Sequence, residues 1–284
     1  MGRKLHEIKI GNLKLKNRFL LAPMLEPNDI AFRMLCKKAG CALTYTGMTS
    51  VLSKKEINVD DKPAMQIFAS STKGVKKFMK KYNKNVSLWD LNLGCPSEIA
   101  RKMKHGAFSH DLKEIEEILK IMRMSTTKPV TIKMRKTPNA FEIVKIAEKY
   151  ADAIAVHPRM VQQGYSGEPD YDFALKIKKE TDLPVIYSGN VDDNNAEKIL
   201  RDFDFVFIGR NAIGRPEIFS KLTGKKSIVN FEKYLILAKK FNLPFRQVKY
   251  QAMNFSKGGR NAKKLRAMIS KAKNTEELEM LSNK

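Results

Sequence analysis

Short apolar runs rich in β-branched residues punctuate the first three quarters of the chain. They read RFLLAPM (18–24), ALTYTGMTS (42–50), PAMQIFAS (63–70) and SLWDLNLGCP (87–96). PVTIKMR (129–135), AIAVHPR (153–159), LPVIYSGNV (183–191) and FVFIGRNA (205–212) follow. Between them lie segments with the three-to-four-residue apolar spacing of amphipathic helices, such as LKEIEEILKIMR (112–123) and AFEIVKIAEKY (140–150). Eight strands alternating with helices predict an α/β fold, a (β/α)8 TIM barrel, whose strands read as unbroken apolar runs because both faces are covered. A doubly wound sheet is the competing arrangement. It usually carries a GxGxxG turn after its first strand, and here that turn reads APMLEPND.

Ahead of the first strand, IKIGNLKLKN (8–17) predicts a hairpin across Gly11-Asn12 that plugs the bottom of the barrel. After the eighth strand a linker near Thr223–Ser227 leads into FEKYLILAKKFN, PFRQVKYQAMNFSKGG, RNAKKLRAMISKAKN and TEELEMLSNK, all helical in pattern. The expected division is a catalytic barrel over residues 1–222 and a small helical domain over 228–284. In residues 225–284 fifteen Lys and Arg face four Asp and Glu, an electrostatic footprint for phosphates.

The formal charge of +24 extends that footprint to the whole chain and favours a polyanionic partner, nucleic acid or an acidic membrane face. Three cysteines, Cys36, Cys41 and Cys95, are too few and too odd in number for a disulfide framework, and they point to a reducing, cytoplasmic compartment. No apolar run approaches the roughly 18 residues of a membrane span, and MGRKLHEIKI lacks the apolar core of a signal peptide.

In a TIM barrel the active site lies at the C-terminal ends of the strands. Read together, those ends supply Pro23 and Met24, Gln66, Asn92 and Cys95, Lys133 and Arg135, His157 and Arg159, Gly189 and Asn190, and Gly209 and Arg210. YSGNVDD and IGRNAIG, after strands seven and eight, can offer backbone N–H groups and a guanidinium to a phosphate. Lys133 suits a Schiff-base nucleophile, a fixed cation beside an electron-rich ring, or a snorkelling surface group. His157 suits a hydrogen-bond donor to a ligand or a satisfied strand-end histidine. Cys95, at the sharp Gly94-Cys95-Pro96 turn beside a loop carrying Arg101, Lys102, Lys104, His105 and His110, suits a nucleophile, a metal ligand or a proton donor. The spacing of a structural metal site is missing. Cys36 and Cys41 fit as small hydrophobes.

In order, LAPM, MQIFAS, DLNLGCP, TIKMR, AVHPR with Gln163, Tyr165 and Gly167, SGNV and IGRNAIGRPEIF resemble the dihydrouridine synthase family over about residues 15–220. Asn92, Gly94, Cys95 and Pro96, followed by Gly106-Ala107, are the most specific part. LKNRFLLAPM is shared with old-yellow-enzyme and dihydroorotate dehydrogenase barrels. The chain departs from the family's usual pattern in EIARKMKHGAFSH, at Pro158 and after SGN.

The resemblance implies an FMN enzyme that reduces uridine in tRNA to 5,6-dihydrouridine with NADPH. It implies that Pro23, Met24 and Gln66 bed the flavin ring, that Lys133 balances charge at its N1/O2 end, and that His157 contacts it. Gly189, Asn190, Gly209 and Arg210 would hold the flavin phosphate. Asn92 would orient the uracil with Arg159, Gln163 and Tyr165 beside it, and Arg101 and Lys102 would meet tRNA phosphates. Hydride would pass from flavin N5 to C6 and a proton from the Cys95 thiol to C5 of a flipped-out base. The alternatives at this stage are a flavin barrel acting on a small pyrimidine such as dihydroorotate, a flavin-free aldolase using Lys133, and a non-catalytic tRNA-binding protein.

Overall fold

The structure is a computed structural model that describes residues 8–26, 28–258 and 261–282. Parts of both expected domains, 1–7, 27, 259–260 and 283–284, lie outside the described residues. A two-residue turn at Gly11-Asn12 joins β1 (Lys9–Ile10) to β2 (Leu13–Lys14), pairing Lys9 with Lys14 and Ile10 with Leu13. The barrel strands follow as β3 (Phe19–Leu21), β4 (Leu43–Thr44), β5 (Thr49–Ser50), β6 (Ala64–Phe68), β7 (Leu88–Leu93), β8 (Val130–Arg135), β9 (Ala153–His157), β10 (Val185–Ser188) and β11 (Phe205–Ile208). The helices are α1 (Ile30–Ala39), α2 (Val75–Tyr82), α3 (Glu98–Lys102), α4 (Leu112–Met124), α5 (Ala140–Tyr150), α6 (Tyr171–Glu180), α7 (Ala196–Ile199) and α8 (Ile218–Thr223).

The eight expected strands are present, with one difference. The second run is broken into β4 and β5, which sit at the two ends of one parallel sheet. Leu20 pairs with Leu43 on one side, Tyr45 bridges Ala64, and Thr49 pairs with Ile67 on the other. One broken strand thus closes the ring. Gly47 lies in the break, where a Cβ would sit 2.8 Å from the Met24 carbonyl oxygen, so the chain can bend toward the β3 loop only without a side chain.

Side-chain alternation sorts the strands into two cores. Leu20, Leu43, Leu88, Ala153, Ile186 and Phe205 face inward with Ile10 of the hairpin, which is fully buried against them as a plug. Trp89, Leu91, Leu93, Ile132, Met134, Ile154 and Val156 face outward onto the helices. Two-residue periodicity then places Asp90, Asn92, Thr131, Lys133 and His157 on the inward face nearer the strand ends. The interior is apolar at the hairpin end and polar at the mouth.

The C-terminal helices are α9 (Phe231–Lys240), α10 (Phe245–Phe255), α11 (Ala262–Lys271) and α12 (Thr275–Ser282). Tyr234, Leu235, Val248, Ala252, Ile269 and Leu278 belong to the same continuous core as the outer barrel. Asp29, at the N-cap of α1, accepts from the Phe32 amide through Oδ1, while its Oδ2 accepts from Tyr234 Oη (3.3 Å) and Gln251 Nε2 (3.0 Å). A second junction joins α10 to Gly214, in the loop after β11. There φ is +73° and a Cβ would overlap the Asn254 carbonyl.

This packing makes a controlled prediction. Gly214→Ala forces both a left-handed Ala and a backbone separation, and is expected to cost about 2–3 kcal/mol. Gly224→Ala has a similar φ of +69° with nothing nearby, and is expected to cost only about 1 kcal/mol. Denaturant unfolding of the two variants checks this, with Gly214→Ala showing the larger fall in midpoint.

Candidate active site

A cavity of about 470 Å³ opens at the C-terminal mouth of the barrel. Nine of the residues expected at the site line it: Pro23, Met24, Lys133, His157, Tyr165, Gly189, Asn190, Gly209 and Arg210. Ala22, Ser188, Phe207 and Asn211 line it as well. Ala22, Ser188 and Phe207 carry no chemical signal of their own in strands and turns, and Asn211 lies within the IGRNAIG loop beside Arg210.

The cavity has two chemically different ends. Toward β3 and β11 its wall is Ala22, Met24 and Phe207. A Cβ on Gly209 would lie 3.6 Å from Ala22 Cβ and 3.9 Å from Met24 Sδ, so the glycine leaves that space open. At the other end, Gly189 (φ +156°) and Asn190 (φ +48°) follow β10, and Arg210 follows β11. Asn190 Oδ1 accepts from both Arg210 Nη2 and Arg159 Nη2, each at 3.3 Å.

Arg159 is 1% exposed and its Nη2 also donates to the Gly167 carbonyl. Its Nε and Nη1 have no protein partner, although buried donors are normally satisfied. An apolar slot ending in turn amides and guanidiniums with spare donors fits the ring and phosphate of FMN.

Charge inside the cavity is set by burial. Lys133 is pulled down to about 8, first by burial and then by Arg135, while Asp90 and Cys95 oppose that shift. Burial, then Lys133, Arg135, Arg159 and Arg210, push His157 down to about 2. His157 is therefore a neutral imidazole at working pH, able to donate one hydrogen bond and accept another. Tyr165 is 61% exposed and lies under two guanidiniums, Arg210 at 4.3 Å and Arg135 at 5.9 Å from the ring centroid.

Cys95 stands beside this cavity in a turn that is braced from several sides. Asn92 Oδ1 accepts from the amides of Gly94 (3.1 Å) and Cys95 (2.9 Å). The buried Arg135 donates from Nε to the Gly94 carbonyl at 2.9 Å and from Nη1 to Met160 and Gly164. Gly106 packs directly on Cys95: its φ is +64° and a Cβ would lie 2.9 Å from Cys95 Cβ. The thiol donates to Ser97 Oγ at 3.3 Å, and Ser97 in turn caps α3 by accepting from the Ala100 amide.

Several expected site residues sit elsewhere. Gln66 is nearly fully buried, bonds Asp90 and Asn92 through its amide, and is not among the residues that line the cavity. Asn92 has both ends of its amide engaged. Gln163 is tied into its own loop by donating to Ser166 and Glu168. Arg101 is exposed and paired with Glu98, while Lys102 is exposed on the same short helix.

His105 does not add to the charge of the loop. It is fully buried, stacked on Phe68 at 4.0 Å, and burial lowers its pKa. Apolar side chains are also exposed on the segments that follow β3, β5, β7 and β9: Leu25, Leu52, Ile99, Met103 and Met160.

The comparisons with known proteins agree with this geometry. The family model "Dihydrouridine synthase" matches residues 20–284. tRNA-dihydrouridine synthase B of Shewanella oneidensis is 30% identical over 239 residues, covering 76% of this chain and 74% of the relative. A probable tRNA-dihydrouridine synthase of Rickettsia conorii is 32% identical over 241 residues, covering 76% and 72%.

Among solved structures, TcOYE with pHBA superposes with a TM-score of 0.59 at 10% identity, covering 80% of this chain and 94% of that one. Morphinone reductase in complex with tetrahydroNAD gives 0.55 at 10% identity, covering 79% and 92%. At such identities the structural likeness establishes the barrel. The sequence matches go further, and this chain belongs to the dihydrouridine synthase family.

Proposed function

We propose that this protein is a tRNA-dihydrouridine synthase that uses FMN and NADPH to reduce the C5=C6 bond of uridine in tRNA, and that it works in the cytoplasm. Family membership and the curated relatives named for this activity support the reaction class. Among the described residues no helix is long and apolar enough to cross a membrane. The observation that carries the reading is the pairing of β7 with β8. Asn92 is in register with Lys133, and Arg135 is hydrogen-bonded to the Cys95 turn. One strand pair thus carries both the half-buried Lys133 of the cavity wall and the Cys95 turn beyond its end, which supports this reading.

When bound, FMN supplies the hydride that adds to C6 of the uracil. Pro23 and Met24 bed its ring, and Gly189, Asn190, Gly209 and Arg210 hold its phosphate. Lys133 would place positive charge at the N1/O2 end. His157, being neutral, offers a hydrogen bond without adding charge.

The Cys95 thiol holds the proton that C5 of the uracil receives, and Ser97 Oγ orients that S–H. Asn92 acts on this step through the turn, where its Oδ1 accepts from the Gly94 and Cys95 amides. Arg159, Tyr165 and Gln163 flank the place where the base enters. A base inside a helix cannot reach such a mouth, so the uridine must be flipped out.

Arg101 and Lys102 meet the RNA backbone. The Arg101–Glu98 pair is exposed and therefore weak enough to be exchanged for a phosphate. Residues 228–284, whose helices α9–α12 pack on the barrel core, contribute further cations. The exposed apolar side chains around the mouth suit unstacked bases, which have apolar faces.

Incubation of the purified protein with unmodified tRNA and NADPH, followed by positional mapping, is expected to yield dihydrouridine. Product from no tRNA would overturn the assignment. Cys95→Ala is expected to slow single-turnover formation by about 10²-fold or more, the usual loss of a general acid, while bound flavin and tRNA affinity are retained. Binding of tRNA is expected to weaken linearly on a log–log plot against salt. Lys102→Ala is expected to reduce that slope by about 0.9 if it meets one phosphate of an RNA stem.

A further inference from the structure

Three strands meet in a polar chain below the cavity. Asp90, on the inward face of β7, is 0% exposed. Its Oδ1 accepts from Thr131 Oγ1 on β8 at 2.5 Å, and its Oδ2 accepts from Gln66 Nε2 on β6 at 2.7 Å. Gln66 Oε1 accepts from Asn92 Nδ2 at 2.8 Å, and Asn92 Oδ1 accepts from the Gly94 and Cys95 amides.

The direction of this chain is fixed at one end. An ionised carboxylate can only accept, so Gln66 must turn its NH2 toward Asp90 and its carbonyl toward Asn92. Asn92 must then turn its NH2 toward Gln66, which leaves its carbonyl for the turn. Flipping either amide would set donor against donor inside the barrel, at the cost of buried unsatisfied groups. The acceptor-only character of Asp90 is thus passed through two amides to the backbone that aims the Cys95 thiol.

Asp90 is also the acidic counterpart of Lys133, with no direct ion pair between them, and its field favours the protonated amine. Facing Lys133 are Arg135 on its own strand, Asp90 on β7, Cys95 on the loop beyond β7 and His157 on β9. Facing Asp90 are Gln66 from β6, Thr131 and Lys133 from β8, and Tyr45 from the segment after β4.

We propose that Asp90 is a positioning residue for the reaction. It sets the orientation of the Gln66 and Asn92 amides that hold the Cys95 turn, and it supplies the buried negative charge that keeps Lys133 cationic at neutral pH. Burial raises the Asp90 carboxyl to about 6, against Thr131, Gln66 and Lys133, which lower it. It is therefore ionised where a lysine near 8 is still charged. This inference rests on the roles given above to Cys95 and Lys133.

Asp90→Asn separates the two tasks. Its carbonyl can still accept from Gln66 while its NH2 faces the Thr131 hydroxyl, which rotates to accept. Hydrogen-bond direction survives and charge does not. Asp90→Leu removes both.

On the flavin-loaded enzyme two quantities are read: the pH at which the midpoint potential of the flavin changes slope as Lys133 loses its proton, and the rate of Cys95 alkylation by iodoacetamide. In Asp90→Asn the break is expected to move down by about one pH unit or more, a tenfold or greater loss of proton affinity, with the alkylation rate close to wild type. In Asp90→Leu both are expected to change. An unmoved break in Asp90→Asn, or an unaltered alkylation rate in Asp90→Leu, would sink the proposal.

Should Asp90→Leu fail to retain flavin, Thr131→Val removes one acceptor contact of Asp90 and leaves the amides in place. The acid limb of its turnover profile must then move to higher pH, and a stationary limb overturns the proposal. Wild-type dihydrouridine formation is scored in the same samples. An inactive wild type overturns the functional reading, whereas an active enzyme with an unmoved break overturns the role of Asp90 alone.

Discussion

The structure depends on the closure of its sheet by a single broken strand. Thr44 and Leu43 pair with β3, Thr49 and Ser50 pair with β6, and Tyr45 bridges the gap to Ala64. A sheet closed on itself has no free edge, and its inward side chains share one enclosed column. What can occupy that column is then graded along its length. The hairpin seals one end with Ile10, and apolar residues fill the lower positions. Polar groups are left only the end that opens to solvent. The active site lies at the mouth because that is where charge is least expensive.

Even there, charge is held by contacts rather than by water. Lys133, Arg135, Arg159 and Arg210 surround a histidine that cannot take a proton, and one carboxylate sits among them inside the barrel. Such a cluster is unfavourable in the free protein. The like charges around His157 and the Arg159 donors that lack a protein partner favour an anion or an electron-rich ring in the cavity.

The strand pattern was legible because continuous apolar runs leave little choice of partner or layer. The break between β4 and β5 was not, since ALTYTGMTS reads as one run and only the crowding of Gly47 against the β3 loop divides it. Most cavity residues were found because they end strands, a position the barrel itself makes functional. What local sequence could not show shares one cause. Only the register sets Gln66 beside Asp90 and Asn92 beside Lys133. The alternation in WDLNLG put Asp90 and Asn92 on one face, and that was the available signal. His105 looked like part of a basic loop, and its stacking on Phe68, 37 positions earlier in the chain, cannot be seen from local sequence.

The bonds of Asp29 carry an implication for how the chain matures on the ribosome. This residue caps the helix that follows Pro23 and Met24, yet its side-chain partners Tyr234 and Gln251 lie 205 and 222 positions later. Strand β3 likewise waits for β11 before the ring can close. The segment between β3 and α1 therefore cannot be finished until the chain has been made through Gln251. Completion of the α1 N-terminus thus becomes a late step of folding, set by helices α9 and α10.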